Sequence, residues 1–306
     1  MKYVSESMKG WLEKYKRNSV KLATFDRLES SYNLMLKYPI SRIAPYDLRA
    51  DDIQGYLNRL VTDGYALSTI KKQYNLLSAY LKWANTEGIV QRPIQNSVKL
   101  PSQSMVRKPK KEIVVYTKVE QAALRRVFQT RERIGYSVAL LMMETGLRVG
   151  EALALEWDDV NWERRAITVS KTAVRLGNKR QIFIQQGAKT YTSNRTIPIS
   201  KTAYALLDAL FQEVDDVHGF IFADRLGKPL SYETMRYQIR IACEKAGVEY
   251  LGQHVFRHTF ATNCFYRGCD VKLLSKLLGH ADVAITYNTY IHLFGDALEE
   301  MRSVVE

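Results

Sequence analysis

Apolar residues recur at intervals of three and four through the first hundred residues, and this period constrains the fold more than any other feature. It predicts four helices, at Ser5–Arg17, Thr24–Tyr38, Ala50–Thr62 and Ser68–Asn85. Ser68 is expected to cap the fourth helix, and Gly64 and Gly88 stand where the third and fourth helices should end. Residues 1–100 are therefore predicted to form a small all-helical domain.

The next twelve residues, 101–112, have no apolar periodicity. They contain two prolines and four basic residues, namely Arg107, Lys108, Lys110 and Lys111. A proline-containing polar stretch between two periodic regions is typical of a linker. The chain is thus predicted to divide into a helical domain over 1–100, a basic linker over 101–112 and a second domain over 113–306.

The second domain combines helical and strand-like periods. Helices are predicted at Thr117–Arg131, Ile134–Glu144, Val149–Trp157, Lys201–Val214 and Tyr232–Ala246, in short pieces after Phe256, and in a C-terminal tail at 296–305. A period of two predicts three short antiparallel strands, at Ala166–Ser170, Gln181–Gln185 and Arg195–Ile199. The expected fold class is mainly α with a small antiparallel β-sheet, an α+β arrangement.

Positive charge is the strongest compositional signal. The 306 residues include 45 Lys+Arg against 32 Asp+Glu, a net charge of +13. Residues 1–107, the small domain with the start of the linker, contain 17 basic and 9 acidic side chains, so that they carry +8 and the remainder +5. Such a distribution favours binding to a nucleic-acid backbone, with the two domains closing as a clamp, although a merely solubilising surface is the alternative.

Four further basic residues are candidates for contacts in a DNA groove. Lys71 and Lys72 lie on the fourth predicted helix, and Arg236 and Arg240 on the helix that follows Leu230. A solvated helix face is the alternative interpretation of both pairs. Phosphate contacts position a protein on DNA without specifying sequence, so the target sequence is not predicted.

Cysteine content and hydropathy indicate the compartment. Three cysteines, Cys243, Cys264 and Cys269, are too few and too clustered for a disulfide framework, which favours a reducing cytoplasm. No apolar run approaches the ~20 residues that a membrane-spanning helix needs. The N-terminus has no apolar signal core, so neither a membrane nor export is expected.

Four short segments contain residues suited to catalysis. Arg148 follows Gly146 between two apolar helices, with Glu151 three residues later as its partner, although a plain helix pair is the alternative. A second segment places His254 and Arg257 on one helix face. In the third, Tyr290 follows His280 by ten residues. The fourth contains Lys189, at a predicted hairpin between two strands.

A metal site is not expected in the second segment. His254 and His258 are four residues apart, a spacing found in zinc proteases, but Val255 stands where those enzymes need glutamate.

Together the four segments suit a different chemistry. Two arginines, two histidines and a lysine can stabilise a pentacoordinate phosphate, and tyrosine is a nucleophile that forms phosphate esters.

These segments resemble the conserved boxes of the tyrosine site-specific recombinases. The resemblance rests on Thr-Gly-Leu-Arg-Val-Gly-Glu-Ala-Leu-Ala-Leu, on His-Val-Phe-Arg-His-Thr-Phe-Ala-Thr, on Leu-Leu-Gly-His, on Tyr-Ile-His and on the Ala-Lys-Thr hairpin. It extends over essentially the whole chain and is strongest to phage and conjugative-transposon integrases of Gram-positive bacteria. It implies a SAM-like core-binding domain and a catalytic domain that form a C-shaped clamp on DNA.

The resemblance also implies the role of each residue. Arg148, His254, Arg257 and His280 would surround the scissile phosphate, with Glu151 as support. Tyr290 would attack to give a 3′-phosphotyrosine, and Lys189 would be the general acid for the 5′-oxygen. No ATP, metal or other cofactor would be needed. Tyr287, three residues before Tyr290, is the competing nucleophile.

The implied partners are double-stranded DNA core sites, bound by a homotetramer on two duplexes, and an excisionase or DNA-bending protein is an optional accessory. The expected reaction is integration or excision of a mobile element through a Holliday junction, near the bacterial nucleoid. Alternatives are a Xer-like resolvase of chromosome or plasmid dimers, a type IB topoisomerase-like enzyme, and a non-catalytic DNA-binding protein.

Larger integrases have an N-terminal arm-binding domain. Since Met1 almost coincides with the first core-binding helix, we expect a simple recombinase or a truncated chain.

Overall fold

The structure is a computed structural model of the chain, and it describes residues 3–106, 114–175, 182–187, 194–214 and 217–290. The chain divides into two compact units, with the boundary between Lys111 and Glu112. The described part of the first unit is residues 3–106, and that of the second is the remainder. None of the helices in these ranges is long and apolar enough to cross a bilayer.

The first unit is all helical, as the sequence predicts. Its α-helices are α1 (Val4–Trp11), α2 (Leu22–Met35), α3 (Ala50–Thr62) and α4 (Leu67–Thr86). A π-helical turn, Leu12–Lys16, continues α1, and 3-10 turns lie at Pro39–Arg42, Ile94–Ser97 and Gln103–Met105. The predicted first helix is thus present, but its second half is π-helical.

The apolar faces of these helices meet in one core. Trp11 of α1 lies edge-on to Tyr80 of α4, with ring centroids 5.9 Å apart. Ile53, Leu57 and Leu60 are fully buried on one side of α3, which matches the predicted spacing of three and four. The predicted helical domain therefore has the core that its periodicity indicates.

Two details of this unit differ from the prediction. The predicted cap at Ser68 is wrong, because α4 begins one residue earlier and its N-cap is Ala66. Val106, which the sequence pattern assigns to the linker, is buried in the core of the first unit. An isolated apolar residue has no period, so its burial could not be seen in the sequence.

Eight α-helices lie in the described part of the second unit. They are α5 (Lys118–Phe128), α6 (Ile134–Thr145), α7 (Val149–Leu153), α8 (Lys201–Phe211), α9 (Tyr232–Lys245), α10 (Gln253–Tyr266), α11 (Val271–Leu278) and α12 (Val283–Tyr290). Thr117 caps α5 in a reciprocal arrangement with Glu120, which confirms the predicted start. The helix predicted to reach Trp157 ends at Leu153, and a separate 3-10 turn follows at Trp157–Asp159.

Helix α6 forms the centre of the second unit. All of its residues except Ile134 and Glu144 are buried, and α5, α7, α8, α9 and α10 pack around it. A helix that is apolar on every side is stable only inside a core. The strongly apolar segment recognised in the sequence is therefore the element on which the rest of this unit is assembled.

The described residues contain five strands in two sheets, rather than the three strands predicted. The strands are β1 (Val160–Asn161), β2 (Ala166–Val169), β3 (Lys171–Arg175), β4 (Ile182–Gln186) and β5 (Arg195–Pro198). One antiparallel sheet has the order β1-β2-β5, with Ile167 opposite Ile197, and the other pairs β3 with β4, with Ala173 opposite Ile184. β1 and β3 are too short, or too polar, to produce a clear period of two.

The predicted hairpin between the last two strands is wrong over the described residues. β4 pairs with β3, whereas β5 pairs with β2, so the two strands on either side of Lys189 belong to different sheets. Lys189 itself lies outside the described residues. Strand period alone identifies strands but not their partners, because pairing is decided by the fold of the whole unit.

Gly146 ends α6 and starts the turn that leads to α7. It has φ +68°, the left-handed conformation typical of a helix C-terminal glycine. A Cβ on this residue would lie 2.4 Å from Cδ1 of Phe260 on α10. The predicted stop at Gly146 is confirmed, and the contact with Phe260 shows that α6 and α10 approach each other here without room for a side chain.

We expect Gly146→Ala to lower the free energy of unfolding by about 3 kcal/mol, because backbone strain and overpacking add. Gly227→Ala is the matched control, since Gly227 has φ +71° with open space around it. That control should lose only about 1 kcal/mol, the strain term alone. Urea unfolding of both variants measures the difference, and equal losses would contradict the proposed steric conflict.

Candidate active site

Helix α10 carries three of the polar residues of the site. His254, Arg257 and His258 lie in its first two turns, and Arg257 is only 5% exposed. The helix is held against the segment around α5 by hydrogen bonds. The Tyr116 N–H donates to Oγ1 of Thr259 over 3.1 Å. The Asn263 amide donates to Oε1 of Gln121 over 2.8 Å.

Three arginines from different elements meet at the C-terminal end of α11. Arg195 at the start of β5 donates through Nε to the Leu277 carbonyl over 2.7 Å, and Arg257 donates through Nη2 to the Leu278 carbonyl, also over 2.7 Å. Arg148, just before α7, donates through Nη2 to the Gly279 carbonyl over 3.0 Å. The last carbonyls of a helix have no partner within it and carry its negative dipole end. Three cations therefore satisfy three consecutive carbonyls.

Glu151 links two of these arginines. Its carboxylate accepts two hydrogen bonds from Arg195, of 3.0 and 2.8 Å, and one of 2.8 Å from Nη1 of Arg148. Burial opposes ionisation, but the hydrogen bonds and charges of Arg195 and Arg148 outweigh it and lower the pKa of Glu151 to about 2. The carboxylate is therefore ionised at neutral pH, and it orients both guanidinium groups.

Gly279 allows this arrangement at the end of α11. It has φ +64°, and a Cβ on it would lie 2.8 Å from Nη1 of Arg195. Any side chain here would therefore disturb the arginine that holds Glu151. The glycine before His280 is thus explained both by the left-handed turn and by the close approach of Arg195.

The arginine cluster retains excess positive charge. Arg148, Arg195 and Arg257 contribute three charges and Glu151 offsets one. Burial and the neighbouring Arg148 lower the pKa of Arg257 to about 9, so that it remains protonated at neutral pH. The Arg148 side chain is 37% exposed, in contrast to that of Arg195 at 6%. The cluster is therefore suited to an anion that approaches from the side of Arg148.

Two histidines lie beside the arginines. His254 keeps part of its surface in solvent, but partial burial of its ring, together with the charges of Arg257 and Arg148, lowers its pKa. His280 follows α11, and its Nδ1 lies 2.7 Å from Oγ1 of the buried Thr286. Burial, reinforced by Arg257 and Arg148, lowers the pKa of His280 to about 4. Both rings are consequently neutral at pH 7 and can donate or accept hydrogen bonds.

Tyr290 occupies the last turn of α12 and is 2% exposed. Its hydroxyl oxygen lies 3.0 Å from Nδ1 of His258. Burial outweighs the attraction of Arg257 and raises the pKa of Tyr290 to about 12. Tyr287, on the same helix, is 46% exposed. The structure therefore places the hydroxyl of the buried Tyr290 against His258 of α10.

The structure brings together six of the seven residues predicted from the four segments, namely Arg148, Glu151, His254, Arg257, His280 and Tyr290. The seventh, Lys189, lies outside the described residues, as do Arg107, Lys108, Lys110, Lys111 and the tail at 296–305. The other candidates for DNA contacts, Lys71, Lys72, Arg236 and Arg240, are all exposed. The catalytic roles of the site residues and the DNA-binding roles of the basic residues remain predictions.

Two residues of the site were missed in the sequence. Arg195 lies two residues before Ile197 on β5, so the strand period places both side chains on the same, buried side. A cation on that side needs an acidic partner. His258 was considered only as a metal ligand, although a spacing of four puts it on the same helix face as His254. Among the described residues, no three His, Cys, Asp or Glu side chains are grouped as metal ligands.

Comparisons with known proteins agree with this geometry. Residues 111–296 match the phage integrase family. The chain is similar to a protein of Caldanaerobacter subterraneus subsp. tengcongensis described as tyrosine recombinase XerC-like, with 28% identity over 95% of this chain and 79% of that protein. It is also similar to the transposase of transposon Tn916 from Enterococcus faecalis, with 22% identity over 83% of this chain and 66% of the transposase.

The fold is also that of a solved structure. The integrase of transposon Tn1549, in complex with transposon right end DNA, superposes with a TM-score of 0.82 at 21% identity, covering 99% of this chain and 100% of that one. At this identity the similarity establishes the fold alone. The mainly helical architecture with small antiparallel sheets, predicted from the sequence, is therefore confirmed.

The pKa of Glu151 leads to a prediction about stability. Because its pKa is about 2 in the folded chain against an ordinary 4.5, the ionised carboxylate contributes about 3 kcal/mol above pH 4.5. This contribution is lost as the pH falls from about 4.5 to about 2. We expect Glu151→Gln to lower the free energy of unfolding by about 3 kcal/mol at pH 7 and by much less at pH 3, as measured by urea unfolding.

The matched control is Glu132→Gln. Glu132 forms an ion pair with Lys245 at an exposed position, where solvent screens the charges, so little change is expected at either pH. A loss in Glu151→Gln that is the same at pH 7 and pH 3 would contradict the assignment of the stabilisation to the ionised carboxylate.

Proposed function

The chain belongs to the phage integrase family and is a tyrosine recombinase, and we propose that it integrates and excises a mobile DNA element by cleaving and rejoining strands through Tyr290. The observation that carries the proposal is the arginine cluster with two excess positive charges, one of whose arginines, Arg257, lies on α10 next to the histidine that contacts the buried Tyr290 hydroxyl. A phosphodiester is an anion that such a cluster can bind and that a tyrosine hydroxyl can attack. The similarity to the Tn916 transposase favours a mobile element as the substrate.

In the proposed reaction, guanidinium groups hold the scissile phosphate. Arg148 and Arg257 donate to its non-bridging oxygens, and His254 and His280 donate further hydrogen bonds from neutral rings. Glu151 and Arg195 do not touch the phosphate in this proposal. They fix the orientation of Arg148 in advance, so that no reorganisation is needed as charge develops on the phosphate.

Attack by Tyr290 joins its oxygen to phosphorus and releases the 5′-oxygen of the next nucleotide. The resulting 3′-phosphotyrosine conserves the energy of the phosphodiester bond. A 5′-hydroxyl from the partner duplex can then attack this ester and release the tyrosine. The exchange therefore needs no ATP and no metal ion.

Lys189 is proposed as the general acid that protonates the leaving 5′-oxygen. Its support is the resemblance of the Ala-Lys-Thr segment to the lysine hairpin of the family. A leaving alkoxide is a strong base, so its protonation removes much of the barrier to cleavage.

The basic residues outside the site are proposed to bind the DNA backbone of the core sites. Lys71 and Lys72 are on the exposed side of α4, and Arg236 and Arg240 are on the exposed side of α9. The segment with Arg107, Lys108, Lys110 and Lys111 would add four more phosphate contacts. With a core-binding domain over 1–100 and a catalytic domain over 113–306, such contacts on both would let the chain clamp one duplex, with a steep dependence of affinity on salt.

The stoichiometry of strand exchange implies four protomers. Two duplexes contain four strands, and each protomer supplies one Tyr290, so a tetramer on two duplexes is proposed. The tail at 296–305, for which the sequence predicts a helix, is the proposed contact between neighbours because it begins a few residues after Tyr290. An excisionase or a DNA-bending protein would set the direction of the reaction, and the nucleoid of the bacterial cytoplasm is its proposed location.

A Xer-like resolvase is the second candidate function. It is favoured by the XerC-like relative, which matches 95% of this chain. The chemistry is the same in both cases, and only the DNA sites differ. The type IB topoisomerase alternative is not supported, because the relatives are recombinases and transposases. Recombination of two labelled duplexes distinguishes the candidates, with sites taken either from the ends of a neighbouring element or from a chromosomal dimer-resolution site.

We expect Tyr290→Phe to bind core-site DNA like the wild type but to form no covalent adduct, because the attacking oxygen is absent. Tyr287→Phe is the matched control, since it removes a hydroxyl from the same helix outside the contact with His258. Trapping on a nicked suicide substrate and denaturing electrophoresis measure the adduct. An adduct that persists in Tyr290→Phe and is lost in Tyr287→Phe would reverse the assignment.

We expect Lys189→Ala to slow cleavage by roughly 10²–10⁴-fold, the usual contribution of a general acid. A 5′-bridging phosphorothioate leaves without a proton and should restore most of the rate in this variant. The same substrate should not rescue Arg257→Ala, because that residue acts on non-bridging oxygens. If the phosphorothioate fails to rescue Lys189→Ala, the residue only positions the phosphate.

A further inference from the structure

We propose that His258 accepts the proton of the Tyr290 hydroxyl during DNA cleavage and returns it during rejoining. The inference rests on the proposed function of Tyr290 as nucleophile, and it assigns a role to a residue outside the predicted site. His258 lies one residue after Arg257 on α10, and so it reaches α12 from the same helix that holds the phosphate-binding arginine.

The contact between the two side chains is direct. Nδ1 of His258 and the Tyr290 oxygen are 3.0 Å apart, within hydrogen-bonding distance, and the rings meet edge to face with centroids 6.0 Å apart. Tyr290 is 2% exposed, so bulk water has little access to its hydroxyl. Among the described residues, the group that contacts this hydroxyl is therefore the imidazole of His258, which can act as a base.

A proton acceptor is needed because the tyrosine is protonated at rest. Its pKa is raised to about 12 by burial, which the charge of Arg257 only partly opposes, with Cys264 adding to the increase. A neutral phenol is a weak nucleophile, and its proton must leave as the bond to phosphorus forms. A base within hydrogen-bonding distance of the hydroxyl is placed to take it.

The surroundings of His258 keep its ring neutral. It faces His254 and Arg257 on its own helix, Tyr290 on α12, and His280 on the segment between α11 and α12. Burial, reinforced by His254 and Arg257, lowers the pKa of His258. At pH 7 the neutral ring can therefore accept the Tyr290 proton at Nδ1, with its own proton on Nε2.

The other two histidines are less suited to this role. Nδ1 of His280 lies 2.7 Å from the hydroxyl of Thr286. His254 is exposed and lies one turn of α10 before His258, on the solvent side of the site. These two rings remain available for the phosphate oxygens, and His258 for the nucleophile.

The Tyr290 oxygen forms a bond to phosphorus while its proton passes to Nδ1 of His258, and the bond from phosphorus to the 5′-oxygen breaks. That oxygen takes a proton from the general acid. On rejoining, the incoming 5′-hydroxyl loses its proton to the same acid, and the departing Tyr290 oxygen regains a proton from His258. Two groups thus exchange protons, and neither is consumed.

The test compares His258→Ala with His258→Asn in single-turnover cleavage of a nicked suicide substrate. Asparagine places an oxygen near the position of Nδ1 and can accept the Tyr290 hydrogen bond, but it cannot take up a proton at neutral pH. We expect both variants to cleave roughly 10²–10⁴-fold more slowly than the wild type, with unchanged affinity for intact core DNA. A merely structural role would be rescued by asparagine.

The pH profile supplies a second measurement. In the wild type the cleavage rate should fall as the pH drops through the pKa of His258, below the ordinary 6.5, because the protonated ring cannot accept a proton. This fall should be missing in His258→Asn, although His254 and His280 still titrate. His218→Asn is the control, because His218 is an exposed histidine paired with Asp158 rather than with Tyr290, and its loss should leave the profile unchanged.

A more acidic nucleophile supplies a third measurement. Trifluorotyrosine at position 290 has a phenol that loses its proton more readily, so it should reduce the difference between wild type and His258→Ala. Cleavage by His258→Ala within about threefold of the wild type, or full rescue by His258→Asn, would overturn the proposal. Failure of the wild type to form any adduct would instead reject the proposed function, so the two failures are distinguishable.

Discussion

The C-terminal end of α11 is the feature on which the rest of the site depends. Its last carbonyls, at Leu277, Leu278 and Gly279, accept hydrogen bonds from Arg195, Arg257 and Arg148. These arginines come from a strand, from a helix and from the turn before another helix. A helix end that is satisfied by side chains from three elements holds those elements together, because breaking one of these hydrogen bonds leaves a carbonyl of the helix end without its partner.

This arrangement stabilises three guanidinium groups that lie close together. Three guanidinium groups repel one another, and desolvation adds to the cost. The helix end and Glu151 offset that cost only in part, because three guanidinium groups face one carboxylate and two positive charges remain in excess. The same helix end leads through Gly279 to His280 and α12, and therefore to Tyr290. In the proposed reaction, binding of the phosphate and the position of the nucleophile are therefore coupled through the end of α11 and through α12.

Much of the fold was predictable because it rests on local periods. The four helices of the first unit and the buried helix α6 follow from apolar spacing, and the stop at Gly146 follows from the need for a left-handed residue. The errors have equally physical causes. Ser68 is a good cap residue, but packing of the apolar face starts α4 one residue earlier. The strands β1 and β3 are recognisable only beside their partners, because short strands have no stability of their own.

The sequence by itself determined the inventory of the site, since the segments around Arg148, His254, His280 and Tyr290 carry the residue types that phosphoryl transfer requires. Only the tertiary structure decided how they are used. It placed Arg195 against Glu151 and the hydroxyl of Tyr290 on His258, pairs that are 44 and 32 residues apart in the chain. The physical reason is that a buried charge or a nucleophile obtains its properties from the groups around it. Those neighbours are chosen by the packing of α6, α10 and α11 rather than by any local pattern.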